Sequence, residues 1–216
     1  MGSKACALTA AVLAALVVTA VAAAAVINGT PRDDVLRGTD QADEIRAFAG
    51  NDHVYARDGA DVVRAGSGDD GVRAGDGGDL VYGGRGNDVV AGGNGNDRLY
   101  GGSDADQLLG GDAGDRVSGN KGPDVNSGND GPDSIFGGGG ADRAFGGSGD
   151  DELHALAADS DPDLLNCGPG DDKAFVLRSE RPSTTLVGCE TLLIVVELTA
   201  EQEEGENTDA DTEADG

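Results

Sequence analysis

An aspartate recurs at every ninth residue from Asp34 to Asp151, fourteen times without a slip: Asp34, Asp43, Asp52, Asp61, Asp70, Asp79, Asp88, Asp97, Asp106, Asp115, Asp124, Asp133, Asp142 and Asp151. A packed core has no use for a carboxylate at each step. A row of sites for hard divalent cations does, because such ions collect several oxygen ligands each. Other chemistries lack their residues. His53 and His154 are the only histidines, and neither stands in an H-E-x-x-H zinc motif. No G-x-S-x-G nucleophile elbow occurs. The period accounts for the paired acids better than general acid–base catalysis does. The sequence therefore predicts no enzyme.

A fixed short period over such a length is the mark of a solenoid, in which each unit stacks on the next. With the aspartate as position six, position one is Gly or Ala throughout. Position four is Gly in ten units, interrupted by Asp104 and Ala113 and absent at Arg32 and Gln41. Position eight is apolar in thirteen, from Leu36 and Ile45 to Ala144 and Leu153, with Asn126 the exception. The chain has 216 residues, a formal net charge of -26, 38 glycines, 3% aromatics and no Trp. That profile alone belongs to a disordered chain. The aliphatic column argues otherwise, since a polar coil has no reason to place an apolar residue two positions after each aspartate. The charge excludes a nucleic-acid binder built on basic patches and opposes adhesion to anionic membranes.

Positions one to six, rich in Gly, Asn and Asp, are read as turn. Positions seven to nine are read as a short strand whose middle residue points inward. Two units make a coil of eighteen residues, so the fourteen units give about seven coils and a stack about 30 Å long. Aspartates eighteen apart then share an edge. Bare carboxylates at that separation repel by about 1 kcal/mol per pair even in water. A dication between turns reverses the sign, with backbone carbonyls completing an oxygen cage. Flexible, many-oxygen coordination favours Ca²⁺ over Mg²⁺, and turns without Cys or His disfavour zinc. Arg46, Arg64, Tyr82 and Tyr100 at position nine are expected to stack on one face as a surface ladder.

Units such as Gly83-Gly84-Arg85-Gly86-Asn87-Asp88-Val89-Val90-Ala91, followed by Gly92 to Tyr100, carry the pattern G-G-x-G-x-D-x-(aliphatic)-x. From Gly29 to about His154 the chain resembles the repeats-in-toxin, or hemolysin-type, calcium-binding repeat family. The resemblance implies an all-β fold, a parallel β-roll (β-solenoid) of tandem nonapeptides, with multiple Ca²⁺ ions bound between same-side turns. It implies metal ligands at Asp52, Asp61, Asp70, Asp79, Asp88, Asp97, Asp106, Asp115, Asp124, Asp133, Asp142 and Asp151. The matching turns would be held by Gly68, Gly77, Gly83, Gly84, Gly86, Gly92, Gly93, Gly95, Gly101, Gly102, Gly137, Gly138, Gly140, Gly146, Gly147 and Gly149. Units opening with Ala47, Ala56, Ala65 and Ala74 depart from the pattern, as do Pro123 and Pro132 before their aspartates.

Both ends differ from the repeat. Lys4, an uncharged apolar run from Ala7 to Val21 and small residues at Ala22 to Ala25 read as a secretory signal peptide over residues 1–25. The alternative is an anchor from Ala5 to Ile27. Export without membrane insertion after cleavage predicts a secreted protein, or one associated with the cell surface. Cys167 and Cys189, beyond the repeat, are expected to form one disulfide in an oxidising compartment. The domains so read are the roll at 26–154, degenerate turns with a disulfide-linked β cap at 155–198, and an acidic disordered tail at 199–216. In the cap, Asp163 and Asp172 keep the aspartate-then-apolar rule. The expected function is a non-catalytic calcium-binding protein that folds on binding. The alternative is a calcium-rigidified structural or adhesive surface protein.

Overall fold

The computed structural model describes residues 23–157, 159, 161–177 and 182–195. Most of the expected export segment, and all of the acidic tail, lie outside them. The described residues form nineteen strands and no helix, numbered β1 to β19 in chain order. The chain alternates between two sheets as it climbs. Odd-numbered strands build a ten-stranded sheet from β1 (Val26–Asn28) to β19 (Thr191–Val195); even-numbered strands build a nine-stranded sheet from β2 (Val35–Arg37) to β18 (Thr185–Val187). Every ladder is parallel. Between β5 (Val62–Ser67) and β7 (Leu80–Arg85), Val63 faces Val81 and Arg64 faces Tyr82, a register of one coil. This is the β-solenoid that the period requires.

Strands through the repeat are six residues long, not three. They continue through positions one to three of the next unit. The reason is a corner that keeps its hydrogen bonds. The position-one pair drops out of the register, position two takes a positive φ (114° at Gly66, 116° at Gly84), and pairing resumes at Gly66 and Gly84. Only positions four to six are turn proper.

The core is the position-eight column. Ile45, Val63, Leu99, Leu108, Ile135 and Leu153 are wholly buried. The position-one alanines Ala47, Ala56, Ala65 and Ala74 join the same cluster. Asn126 stands in the column between Leu108 and Ala144 and is tolerated because its Nδ2 donates across the core to the Phe136 carbonyl at 3.1 Å. Beyond the repeat the register shifts. Arg143 faces Leu164 and Glu152 faces Lys173, steps of 21 residues that accommodate the insertion, so β16 (Leu164–Asn166) and β17 (Lys173–Leu177) extend the same two sheets. Cys167 and Cys189 are disulfide-bonded there.

Outward ladders line the odd-numbered sheet. Tyr82 and Tyr100 stack with centroids 5.1 Å apart, and the Arg64 guanidinium lies 5.6 Å from the Tyr82 ring. Higher up, His154 is sandwiched between Phe136 (4.2 Å) and Phe175 (4.4 Å). Burial in that sandwich pushes the imidazole pKa down to about 4.

Six described side chains adopt glycine's conformation: Phe48, Arg57, Asn120 and Asn129 at position two, and Asp104 and Ala113 at position four. At position four, Asp104 and Ala113 have φ of 79° and 82°. Relief of this strain outweighs glycine's larger entropy loss, so Ala113→Gly raises stability by about 0.5–1 kcal/mol. Ala113→Val lowers it. Urea denaturation in excess calcium measures both.

Candidate metal centre

Position six is the last residue before the chain enters a strand, where side chains begin to alternate in and out. Position seven faces out, so position six faces in. Spacing alone puts the carboxylates on the rim between turns; the structure turns them into the ends of the coil. Asp52 and Asp151 are wholly buried, and Asp61, Asp79, Asp88, Asp106, Asp124 and Asp133 are 1% exposed.

Each aspartate is tied to the coil before it. The N–H of Asp34 donates to Asp52 Oδ1 (2.7 Å), Asp52 N–H to Asp70 Oδ1 (2.7 Å), Asp70 N–H to Asp88 Oδ1 (2.8 Å) and Asp88 N–H to Asp106 Oδ1 (2.8 Å). The other edge repeats this from Asp43 through Asp61, Asp79, Asp97 and Asp115 to Asp133. The aspartate carbonyls accept in turn from position seven one coil later, as Gln107 N–H to Asp88 O at 2.8 Å. The ladder survives the register shift. Asp163 Oδ1 takes the Asp142 N–H, Asp172 Oδ1 the Asp151 N–H, and Glu190 Oε2 the Asp172 N–H. Glu190 as a final rung is legible only as a carboxylate eighteen residues after Asp172, a signal hidden by its change of residue type.

The second oxygen is different. From Asp52 through Asp133, and at Asp151 and Asp172, Oδ2 is buried and accepts no hydrogen bond. It points at position one of its own unit. A Cβ added to Gly92 would stand 2.2 Å from Asp97 Oδ2 and 2.6 Å from the Gly110 carbonyl oxygen; at Gly119 the distances are 2.2 Å to Asp124 Oδ2 and 2.5 Å to Gly137 O. So a carboxylate oxygen with no donor and a carbonyl oxygen from the next coil converge on a space kept open by glycine. Gly83, Gly101, Gly137 and Gly146 hold the same position. Where position one is Ala47, Ala56, Ala65 or Ala74, a buried methyl takes the equivalent space. Position-four glycines serve the close approach of turns. Gly95 has φ 121°, and a Cβ there would lie 1.8 Å from Gly77 O.

An all-oxygen donor set with an orphaned carboxylate oxygen at each rung fits a hard dication. Among the described residues no three His, Cys, Asp or Glu side chains converge. Backbone carbonyls must therefore supply most of any coordination sphere. Burial raises the carboxyl pKa values, with neighbouring rungs adding to it. Asp61, Asp79 and Asp97 rise to about 6 and Asp70 to about 7. Asp88 rises to about 8 and Asp106 to about 9, the latter between the charges of Asp88 and Asp124.

Stacked parallel coils with inward carboxylates and open glycine corners define a cation-binding β-roll. A family model of the RTX calcium-binding nonapeptide repeat matches residues 28–63, 49–72, 55–90, 73–108 and 127–161. The matches cover more than half of the chain, which belongs to that family. The interval between 108 and 127 holds Ala113 and Asn126, two departures from the repeat. No curated protein matches the chain.

The pKa shifts set a pH dependence. A carboxyl that binds its proton more tightly when folded stabilises the fold at low pH, and that contribution is lost as pH rises through the folded pKa. Metal-stripped protein is therefore more stable near pH 5 than near pH 8.5, the loss setting in above the ordinary carboxyl value of 3.8 and ending at about pH 9. Calcium affinity runs the opposite way, because each ion must displace those protons. Thermal unfolding by circular dichroism, with and without calcium, reads both trends.

Proposed function

We propose that this chain is a non-catalytic, exported protein whose turns bind several Ca²⁺ ions between adjacent coils and which folds as they bind. The observation that carries the reading is the row of buried Oδ2 atoms without a donor. Left ionised and bare, each is an uncompensated buried charge, the costliest state a side chain can occupy. Oδ1 cannot relieve it, being committed to the backbone. A dication joins the carboxylate of one coil to the turn carbonyls of its neighbour and supplies the missing charge.

The turns opened by glycine, from Asp88 to Asp151, offer the best sites. At Asp52, Asp61, Asp70 and Asp79 the alanine methyl competes for the same space. Asp163, Asp172 and Glu190 continue the ladder and are weaker candidates, lying toward its open end. The apolar segment before residue 26 supports export, which suits an ion abundant outside cells. A second reading, a rigid spacer at a cell surface, is favoured by the unbroken stack of parallel strands; cell fractionation that finds the protein in the envelope supports it.

Calcium titration of metal-stripped protein, followed by calorimetry and circular dichroism near neutral pH, tests the proposal. Several ions should bind per chain while the strand signal grows. An unchanged strand signal in chelator, with no heat on adding calcium, defeats it. Replacing Asp106 with Asn should abolish at least one site and leave the others.

A further inference from the structure

The two long edges of the roll carry the same aspartate ladder but different charges around it. One edge holds the turns that end at Asp61, Asp79, Asp97, Asp115, Asp133 and Asp151. At position three these turns bear Asp58, Asp76, Asp112 and Asp130. The opposite edge ends its turns at Asp52, Asp70, Asp88, Asp106 and Asp124. Its position-three residues are Ala49, Ser67, Arg85, Ser103 and Lys121. Position three is exposed at all four acids and at both cations. Over positions two to five, Asp33, Asp69 and Asp104 on this second edge are matched by Arg32, Arg85 and Lys121. On the first edge, Asp40 and Asp150 add to the four acids, against Arg57 alone.

The first edge is arranged to keep this charge. Asp58 faces Asp76 and Asp112 faces Asp130 in the ladder. Between these pairs Asn94 donates its Nδ2 to Asp76 Oδ1 at 2.7 Å, and beyond them Ser148 Oγ donates to Asp130 Oδ1. Each acid stands three residues before the rung of its own turn: Asp58 before Asp61, Asp76 before Asp79, Asp112 before Asp115 and Asp130 before Asp133. Six acids against one cation therefore surround the buried, donor-free Oδ2 atoms of the first edge, and three acids against three cations those of the second.

Building on the calcium reading above, we infer that the two edges form two classes of site. The edge bearing Asp58, Asp76, Asp112 and Asp130 fills first, and the edge bearing Arg85 and Lys121 fills second. The position-three side chains are affinity-setting residues that need not touch the ion. They act through the field, which makes the difference dependent on ionic strength. The roll then responds to calcium in two steps, one edge locking before the other.

Calorimetric titration of the full chain tests this, with two exposed-site variants. Wild-type protein should show two classes. The triple variant Asp76→Asn, Asp112→Asn, Asp130→Asn should weaken the tighter class by roughly twofold to threefold per charge removed at physiological salt, leaving the weaker class in place. Arg85→Gln with Lys121→Gln should strengthen the weaker class and spare the tighter. Added salt should narrow the gap. A single class in wild-type protein, or variants that move both classes alike or neither, overturns the inference while calcium binding stands. An absence of calcium binding in every variant defeats the underlying reading instead.

Discussion

Each half-coil must bury a carboxylate whose two oxygens have opposite fates, and the rest of the structure answers to that. Oδ1 closes a hydrogen bond to the aspartate N–H of the preceding coil, as at 2.8 Å from Asp88 to Asp106. Oδ2 accepts nothing. The first oxygen is structural: without it a buried backbone donor would be stranded where the strand bends away from its ladder. The second is electrostatic and costs more than the first contributes unless a positive charge reaches it. A single side chain thus couples coil stacking to charge neutralisation. On the proposed reading, loss of the counter-charge would strain the same rung that holds adjacent coils in register.

The apolar core is built around this coupling and is thin for a reason. The corner between sheets must either take a methyl or leave room beside Oδ2. The four units that open with Ala47, Ala56, Ala65 and Ala74 all carry valine at position eight, at Val54, Val63, Val72 and Val81. Leucine and isoleucine enter the column only where the corner is glycine, as at Ile45, Leu99, Leu108, Ile135 and Leu153. In those units an interior of near-crystalline density conserves volume, while Val90, Val117 and Ala144 stand beside glycine corners without the added bulk. Glycine corners leave the space beside Oδ2 without a methyl, and at the leucine and isoleucine units the apolar bulk lies across the roll. Outside, stacked rings and guanidinium groups such as Arg64, Tyr82 and Tyr100 add contacts that a one-residue-deep core cannot.

Much of this architecture is legible in the sequence. Period nine, the aspartate column and the aliphatic column together require a parallel solenoid, since no other fold needs all three. What escaped has specific causes. Strand length did, because positions one to three are mostly glycine and carry no side-chain alternation to read. The inward turn of the aspartates did, because a carboxylate is ordinarily assigned to solvent; only the parity of position six against the inward position eight reveals it. The Phe136–His154–Phe175 stack depends on a step of 21 residues between His154 and Phe175, which a strict nonapeptide count cannot anticipate. Glu190 closes the ladder with a longer side chain near its exposed end, where the geometry is less exacting.

The choice of aspartate over asparagine carries the argument furthest. An asparagine at position six could accept the same backbone N–H through Oδ1. Its Nδ2 would then donate to the carbonyl oxygen that shares the corner, as at Gly110 or Gly137. Such a rung would be neutral and fully satisfied, and the ladder would need no ion. The chain uses asparagine freely in the neighbouring turn positions, at Asn51, Asn87, Asn94 and Asn96, and never once at position six among the fourteen units. A purely structural ladder would be more stable with the amide. An ionisable carboxyl kept at every rung, against that local advantage, is what the proposed role for a dication between the coils requires.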